Sequence, residues 1–197
     1  MTFKEIKNIL KTKKVGIAGA GGLGSNCAVA LARVGVGTLI VADFDVLSED
    51  NLNRQYYFLD QVGKKKVVML AENIQNINPD VKVIACDVTL TEENIPVLFR
   101  DCDVIVEAFD RADQKKVLLE TVISCMPDKK LVAGVGVAGW GHNETIRFRK
   151  TGNIIICGDE NTEVGPDMPP MAPRVGIVAN MEANAVMEIL LADECVS

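Results

Sequence analysis

Five short apolar runs alternate with segments of helical periodicity between Lys14 and Val135. The runs KVGIAG, TLIVAD, KVIACD, DVIVEAF and KLVAGV are rich in β-branched residues, and a segment with apolar residues at helical spacing follows each of the first four. Strands that read as continuous apolar runs are covered by helices on both faces and pair in parallel through right-handed crossovers. The sequence therefore predicts an α/β fold: a doubly wound, mainly parallel sheet of the Rossmann type.

The remaining segments complete one domain. ETIRFRK and NIIICG are candidates for an antiparallel edge of the sheet, and the proline-rich segment from Gly158 to Pro173 predicts a mobile loop. The first dozen residues predict an amphipathic helix, and RVGIVANMEANAVMEILLADE predicts a long buried helix. Because 197 residues fit one domain and no linker or repeat interrupts them, we predict a single nucleotide-binding domain over residues 1–197.

Composition excludes several classes of partner. The formal net charge of −6 and the pI of about 4.9 would repel a polyanion, so we expect no nucleic-acid partner. Six cysteines without a CxxC pair indicate reduced thiols. The chain shows neither the apolar core of a signal peptide nor a segment long enough to span a bilayer, so we expect a cytoplasmic protein without a membrane partner.

A glycine-rich motif joins the first strand to the helix that follows. Gly19, Gly21 and Gly24 form G-x-G-x-x-G, in which the first glycine permits a tight turn, the second lets the backbone approach phosphate and the third lets the helix pack closely on the strand. Asp43 ends the second strand and is placed to accept ribose hydroxyls. This pattern predicts a nucleotide site and leaves open whether the nucleotide is a dinucleotide or ATP.

Cationic residues follow the acidic end of the second strand. NLNRQ would project Asn51, Arg54 and Gln55 over the crevice at the strand ends, where the guanidinium of Arg54 offers two parallel donors to phosphate. Lys64, Lys65 and Lys66 stand near the start of the next helix, where the helix dipole disfavours a cation. They are explained either by a bound triphosphate or by a solvated basic face.

Asp110 ends the fourth strand on the same side of the sheet. A carboxylate beside a triphosphate would coordinate Mg²⁺. Alternatively, Asp110 caps the helix that begins near Ala112, because aspartate is a favoured N-cap residue. The sequence leaves both readings open.

Six motifs in order resemble the ThiF/MoeB/HesA family, relatives of the ubiquitin-activating enzymes. They are GAGGLGS, DFDVLSEDNLNRQ, GKKKV, INPDVKV, EAFDRAD and MAPRVGIVANMEANAVMEIL, and the resemblance runs from about Lys13 to Leu191. It is strongest to the short ThiF-type sulfur carrier adenylyltransferases of thiamine synthesis. It implies a nucleotidyltransferase in which the C-terminal glycine carboxylate of a small ubiquitin-like carrier, ending in Gly-Gly, attacks the α-phosphate of ATP. It also implies a homodimer.

The resemblance assigns roles to the residues of these motifs, all of them around ATP. Catalysis falls to Arg54, Lys66 and Asp110, with Asp110 as the Mg²⁺ ligand and Asp45 beside the phosphates or the metal. Nucleotide binding falls to the glycines, the acidic pair and the polar residues after it: Gly19, Gly21, Gly22, Gly24, Asp43, Asp45, Asn51, Arg54 and Lys66.

The chain departs from the family pattern in three respects. Relatives commonly hold a zinc ion with two CxxC pairs, whereas Cys157 and Cys195 stand alone here, so we predict no zinc. The segment before Lys13 lacks the arginine that in relatives reaches the partner subunit's ATP site. The loop from Gly158 to Pro173 has no cysteine for a sulfur-transfer step, which leaves Cys157 at its edge as the weak candidate, and His142 is predicted to be a turn residue.

Two other functions fit parts of the sequence. A NAD-dependent oxidoreductase is favoured by the glycine motif and Asp43 alone. A non-catalytic module that binds ATP and the carrier is suggested by the missing arginine and the absent zinc ligands.

Overall fold

A computed structural model describes residues 1–192, within which it forms seven strands and six α-helices. The strands are β1 (Lys14–Ala18), β2 (Thr38–Ala42), β3 (Lys82–Cys86), β4 (Val104–Glu107), β5 (Lys130–Gly134), β6 (Arg147–Thr151) and β7 (Ile154–Gly158). The helices are α1 (Phe3–Leu10), α2 (Gly22–Val34), α3 (Lys66–Ile77), α4 (Ile95–Phe99), α5 (Ala112–Cys125) and α6 (Ala172–Leu191). The predicted α/β architecture is confirmed.

The strands form one sheet in the order β3-β2-β1-β4-β5-β7-β6. All neighbouring strands are parallel except β6 and β7. The two extended segments expected at the edge therefore differ, since β7 runs parallel to β5 and only β6 runs opposite to the other strands. A two-residue hairpin through Gly152 (φ 58°) turns the chain between them. The apolar β7 lies inside the sheet, and the charged β6, whose five residues are all exposed, takes the edge.

Helices cover both faces of the sheet, as the apolar runs predicted. One core cluster joins α1, α2, α3 and α6 to alternate residues of the strands, including Val15, Ile17, Val104 and Val106. The other joins Phe99 of α4 and Leu118 of α5 to the opposite face, including Ile40, Ile105 and Leu131. Val104, Ile105 and Val106 thus alternate between the two cores, which is why the strand reads as an uninterrupted apolar run.

The strand order has its switch point between β1 and β4. From β1 the chain continues to β2 on one side, and β4 lies on the other side of β1. Ligands of open α/β sheets bind outside the carboxyl ends of the strands at such a point. The glycine motif occupies it, because α2 begins four residues after β1 ends.

Glycines 19 and 24 make the close approach of α2 to β1 possible. A Cβ at Gly24 would lie 1.9 Å from the carbonyl oxygen of Gly19, and Gly19 itself has a φ of 103°. A side chain at Gly24 would therefore collide with the backbone. At Gly19 the positive φ disfavours a side chain as well.

Two predicted elements begin later than expected. The helical segment that follows the third apolar run, KVIACD, starts only at Ile95, because Thr91 and Asn94 form a turn in which the Thr91 backbone N–H donates to the Asn94 side chain (2.8 Å). The strand expected from Glu144 starts at Arg147, since residues 143–145 form a 3₁₀ turn. The predicted final helix extends to residue 194, and its residues 193 and 194 lie outside the described range.

Within residues 1–192, no helix has the combined length and hydropathy that crossing a bilayer requires.

Candidate functional site

A cleft of about 690 Å³ lies at the carboxyl ends of the strands, a volume typical of small-molecule sites. It brings together eight of the residues singled out in the sequence: Gly19, Gly21, Gly22, Asp43, Asp45, Arg54, Lys66 and Asp110. Gly24 and Asn51 do not line it. Gly24 packs α2 on β1, and the Asn51 side chain accepts a hydrogen bond from the Ser48 backbone N–H (3.2 Å).

Asp43 holds the glycine loop through hydrogen bonds from backbone N–H groups. Its Oδ2 accepts from the Ala20 N–H at 2.6 Å and its Oδ1 from the Asp45 N–H at 2.8 Å. The hydroxyl of Tyr57, which sequence reasoning missed, donates to the Ala20 carbonyl at 2.7 Å. Each carboxylate oxygen of Asp43 retains a lone pair, so the same group that orders the loop can accept ribose hydroxyls.

The three lysines before and within α3 have different environments. The Lys66 side chain is 6% exposed, and its ammonium lies 2.7 Å from Asp45 Oδ2 at the cleft. Lys65 donates to the Phe44 carbonyl and to Asp87, at 2.9 Å in both cases. Lys64 is exposed. The solvated basic face therefore describes Lys64, whereas Lys66 is a buried cation that lines the cleft.

Arg54 lies at the cleft, and among residues 1–192 only its Nη1 has hydrogen-bond acceptors. Its Nη1 donates to the Asn53 side chain (2.6 Å) and to the Asp50 carbonyl (3.2 Å). A guanidinium has five N–H donors, so further donors remain to bind a ligand. The Asn26 side chain donates to the carbonyls of Gly22 (2.7 Å) and Arg54 (2.9 Å). Asn26 thereby fixes the NLNRQ segment against the glycine loop.

Gln55 is the buried polar residue beside Arg54. It lines the cleft, and its Oε1 has no hydrogen-bond partner among the residues that the structure describes. A buried unpaired amide oxygen is costly. The side chain is thus suited to a donor supplied by a ligand.

Asp110 does not cap α5, so the interpretation of that residue as an N-cap is wrong. The N-cap of α5 is Arg111, and it makes no side-chain capping bond. Asp110 is exposed within the cleft lining. Sequence reasoning missed what holds it there: the Glu107 carboxylate accepts from the Phe109 N–H (2.8 Å) and from Lys115 (2.7 Å), which also donates to the Gly134 carbonyl (3.0 Å).

Glu107 is the buried member of the Glu107–Lys115 ion pair, since its side chain is 1% exposed. Burial raises the pKa of Glu107, and the ammonium of Lys115 opposes that shift. The pair holds the end of β4 to the first turns of α5 and so fixes the turn that carries Asp110.

Magnesium fits the carboxylates at this cleft. No hydrogen bond or ion pair engages the Asp110 side chain within residues 1–192, and Mg²⁺ is usually held by one or two carboxylates together with substrate phosphates. Across the same residues, no three His, Cys, Asp or Glu side chains converge on one point. A cation here would therefore depend on phosphate oxygens for its remaining ligands.

The rest of the cleft divides into an apolar part and a loop side. Phe44, Val88, Leu90 and Phe109 line the apolar part, which suits a planar base. The loop side is formed by the strand end of β5 and by the connection between β7 and α6: Val135, Gly136, Val137, Thr162, Glu163, Val164 and Pro170.

Two residues noted in the sequence have no place in this cleft. Cys157 is buried in β7, where burial raises the pKa of its thiol to about 12. It therefore stays protonated at neutral pH, and a thiol is a poor nucleophile. His142 lies in an exposed bend with a φ of 50°, as predicted for a turn residue. Cys195 lies outside the described residues.

Glu182 of α6 is a fully buried carboxyl beneath the cleft floor. A Cβ at Gly134 would lie 3.0 Å from its Oε1, and neither of its oxygens has a partner among residues 1–192. Burial raises the pKa of Glu182 well above its ordinary value, and the nearby Glu107 carboxylate adds to the shift, while Lys115 opposes it.

Glu182→Gln is expected to make the free energy of unfolding less dependent on pH. The raised pKa means that the folded state keeps a proton that the unfolded chain loses above its own, lower pKa. Wild-type stability therefore falls as the pH rises from that lower value toward the raised one. The variant should gain stability relative to wild type between about pH 5 and pH 8 in urea denaturation. Glu188→Gln, an exposed change on the same helix, is the control; equal pH profiles for both variants would contradict the prediction.

The chain belongs to the ThiF family, whose model matches residues 3–197. It is 36% identical over 193 residues to the adenylyltransferase and sulfurtransferase MOCS3 of Caenorhabditis briggsae, an alignment that covers 91% of this chain and 46% of that protein. It is also 36% identical over 137 residues to the tRNA threonylcarbamoyladenosine dehydratase of Bacillus subtilis strain 168, covering 68% of this chain and 53% of that one. The chain thus spans about half the length of these two relatives.

Solved structures share the fold. The E. coli tRNA N6-threonylcarbamoyladenosine dehydratase in complex with ATP superposes with a TM-score of 0.88, covering 98% of this chain and 92% of that chain at 21% sequence identity. Because the sequence identity is only 21%, this similarity establishes the fold alone.

Proposed function

We propose that this protein transfers the adenylyl group of ATP to the C-terminal glycine carboxylate of a small ubiquitin-like sulfur carrier protein, with release of pyrophosphate. The observation that carries the proposal is the joining of a glycine loop, Arg54, Lys66 and Asp110 in one cleft. A nicotinamide cofactor uses its pyrophosphate only for binding, so an oxidoreductase has no need of cations at a reacting phosphate. The adenylyltransferase named among the relatives supports the same class of reaction.

The nucleotide would lie across the carboxyl ends of the strands. Asp43 would accept the ribose hydroxyls, and the apolar part of the cleft would take the base. Backbone amides of the glycine loop at the N-terminus of α2 face an anion along a favourable dipole. Arg54 and Lys66 would bind the phosphates, with Lys66 held in place by Asp45 (2.7 Å).

The reaction needs no general base, because a C-terminal carboxylate is ionised at neutral pH. One carboxylate oxygen attacks the α-phosphorus, and the bond from that phosphorus to the bridging oxygen of the β-phosphate breaks. The electron pair leaves with pyrophosphate, and the products are the carrier acyl-adenylate and pyrophosphate. Positioning and charge neutralisation by Arg54 and Lys66 would supply most of the rate acceleration. Magnesium, if bound by Asp110 and the phosphates, would neutralise charge on the leaving group.

The carrier tail would enter along the loop side of the cleft. That side is lined partly by glycine, with Gly136 at a φ of 75°. A terminal Gly-Gly sequence has no side chains and can approach other backbone closely. These features favour an extended peptide end over a compact small molecule.

The carrier and setting form the finer part of the proposal. The short-form resemblance favours a carrier of thiamine thiazole synthesis, a cytoplasmic location and a homodimer. The five cysteines among the described residues are free thiols, which is consistent with a reducing compartment.

Pyrophosphate exchange into ATP tests this function. Labelled pyrophosphate, ATP and Mg²⁺ would be incubated with the protein alone, with a candidate carrier ending in Gly-Gly, or with the same carrier lacking its last glycine. Exchange only with the intact carrier is the expected result. A further reaction with a tRNA bearing threonylcarbamoyladenosine examines the substrate named for the Bacillus subtilis relative. ATP binding without exchange in every reaction would indicate a non-catalytic module, and NADH binding in place of ATP would indicate an oxidoreductase.

A further inference from the structure

Arg174 is a buried cation at an unfavourable place in the fold. It is the third residue of α6, where the helix dipole disfavours positive charge, and its side chain is 3% exposed. Neither the glycine loop nor the proposed phosphate contacts use it. Its position therefore needs a separate reason.

The guanidinium of Arg174 joins three segments of the chain. Its Nη2 donates to Asp159 Oδ2 at 2.5 Å, at the start of the connection between β7 and α6. Its Nη1 donates to the Gly141 carbonyl at 2.6 Å, and Nη2 also contacts the Thr145 hydroxyl at 3.3 Å. The first turn of α6, the bend at residues 139–145 and the connecting loop are thus held by one side chain.

Asp159 is arranged to remain ionised as the partner. Its Oδ1 accepts from the N–H groups of Asn161 and Thr162, at 2.8 Å each. Burial by itself would raise the pKa of Asp159, but these hydrogen bonds and the one from Arg174 together lower it. A Cβ at Gly136 would lie 1.9 Å from the same oxygen.

The loop that begins at Asp159 is held at its other end by the same bend. The Gly139 N–H donates to the Pro169 carbonyl at 2.9 Å, and a Cβ at Gly139 would lie 2.4 Å from the Met168 sulfur. Between these two attachments the loop contributes Thr162, Glu163 and Val164 to the loop side of the cleft.

A buried ion pair adds little net stability compared with apolar residues of similar size, so stability alone does not account for this one. What it does supply is a fixed geometry. We propose that Arg174 is a positioning residue that holds the loop of residues 159–170 as the wall along which the carrier tail reaches ATP. This inference rests on the proposed function and adds to it a residue that contacts neither ATP nor the reacting atoms.

The single tryptophan of the chain, Trp140, provides a direct readout. It is 66% exposed and lies in the bend that Arg174 holds. Its fluorescence would be followed during titration with a tryptophan-free carrier ending in Gly-Gly, for wild type, Arg174→Lys and Arg174→Met. Arg100→Met is the matched control, because it removes an exposed arginine at the end of α4, which packs on the opposite face of the sheet from α6.

We expect Arg174→Met to raise both the Kd and the exchange KM for the carrier about tenfold or more, since a loop that is no longer preorganised must be ordered when the carrier binds. The KM for ATP and the kcat at saturating carrier should change less than about twofold. Arg174→Lys, which keeps the charge next to Asp159, should be intermediate. Arg100→Met should match wild type.

Hydrogen exchange of residues 159–170 gives a readout without activity and should be faster in Arg174→Met than in Arg100→Met. Wild-type-like carrier KM in Arg174→Met, or equal losses for ATP and carrier, would overturn the inference and leave the proposed function intact. Absence of carrier-dependent exchange in wild type would overturn the proposed function and this inference with it. If Arg174→Met does not fold, Arg174→Lys and Thr145→Val, which removes one acceptor of the guanidinium, decide by the same KM comparison.

Discussion

Arg54→Ala is expected to lower carrier-dependent ATP–pyrophosphate exchange by about 100- to 1,000-fold, the usual cost of removing a positioned donor to transition-state charge. Arg54 lines the cleft, and its segment is fixed by the Asn26 side chain, which donates to the Arg54 carbonyl at 2.9 Å. Loss of the guanidinium would leave the charge on the phosphates to Lys66. Arg54→Lys should recover part of the rate, because it restores the charge without the planar pair of donors. Initial exchange rates at saturating ATP and carrier measure the effect.

The control for Arg54 is Arg33→Ala. Arg33 is exposed on α2 and donates to the Tyr56 hydroxyl (3.3 Å), away from the cleft lining. It should exchange at the wild-type rate. If Arg54→Ala also retained wild-type exchange, the assignment of phosphate binding to Arg54 would be wrong.

Asp110→Ala is expected to reduce exchange by at least about 100-fold, because the metal-assisted neutralisation of the leaving group would be lost. Asp110 has no side-chain partner within residues 1–192, so the unfolding temperature should stay near that of wild type. The Mg²⁺ concentration for half-maximal exchange should rise. Exchange rates over a Mg²⁺ series, together with thermal unfolding, separate the catalytic effect from a folding effect.

Asp113→Ala is the matched change for Asp110. Asp113 is exposed three residues further along, pairs with Arg111 at 2.7 Å and does not line the cleft. We expect wild-type exchange and an unchanged Mg²⁺ response. Equal responses of the two variants would mean that Asp110 does not serve as the metal ligand.

The fold and the meeting of the glycine motif with Asp43 in one cleft were predictable because their signals are local. Strand and helix periods, the glycine motif and Asp43 all act within one β-α-β unit, and the structure assembles them at the switch point of the sheet. The relative placement of β6 and β7 was less accessible, because both read as extended. The side chains, charged in β6 and apolar in β7, indicate that β6 is the edge strand and that β7 lies inside the sheet.

The residues that sequence reasoning missed act over longer distances. Glu107 pairs with Lys115 and Arg174 with Asp159, and neither pair is visible from periodicity, which treats each polar position separately. A signal was nevertheless present. Arg174, Val178 and Glu182 recur every fourth residue on the buried face of α6, so two charged residues occupied positions that the helical period assigns to the core. A charge at such a position predicts a buried partner or a shifted pKa.

Intact-mass spectrometry of the carrier tests the central claim most directly. A carrier ending in Gly-Gly would be incubated with the protein, ATP, Mg²⁺ and inorganic pyrophosphatase, which removes pyrophosphate and prevents reversal. Adenylation predicts a carrier heavier by one adenylyl group, localised to the C-terminal glycine by fragmentation and formed at least about 100-fold more slowly with Arg54→Ala. An unmodified carrier, in a sample where ATP binding to the protein is measured independently, would contradict it.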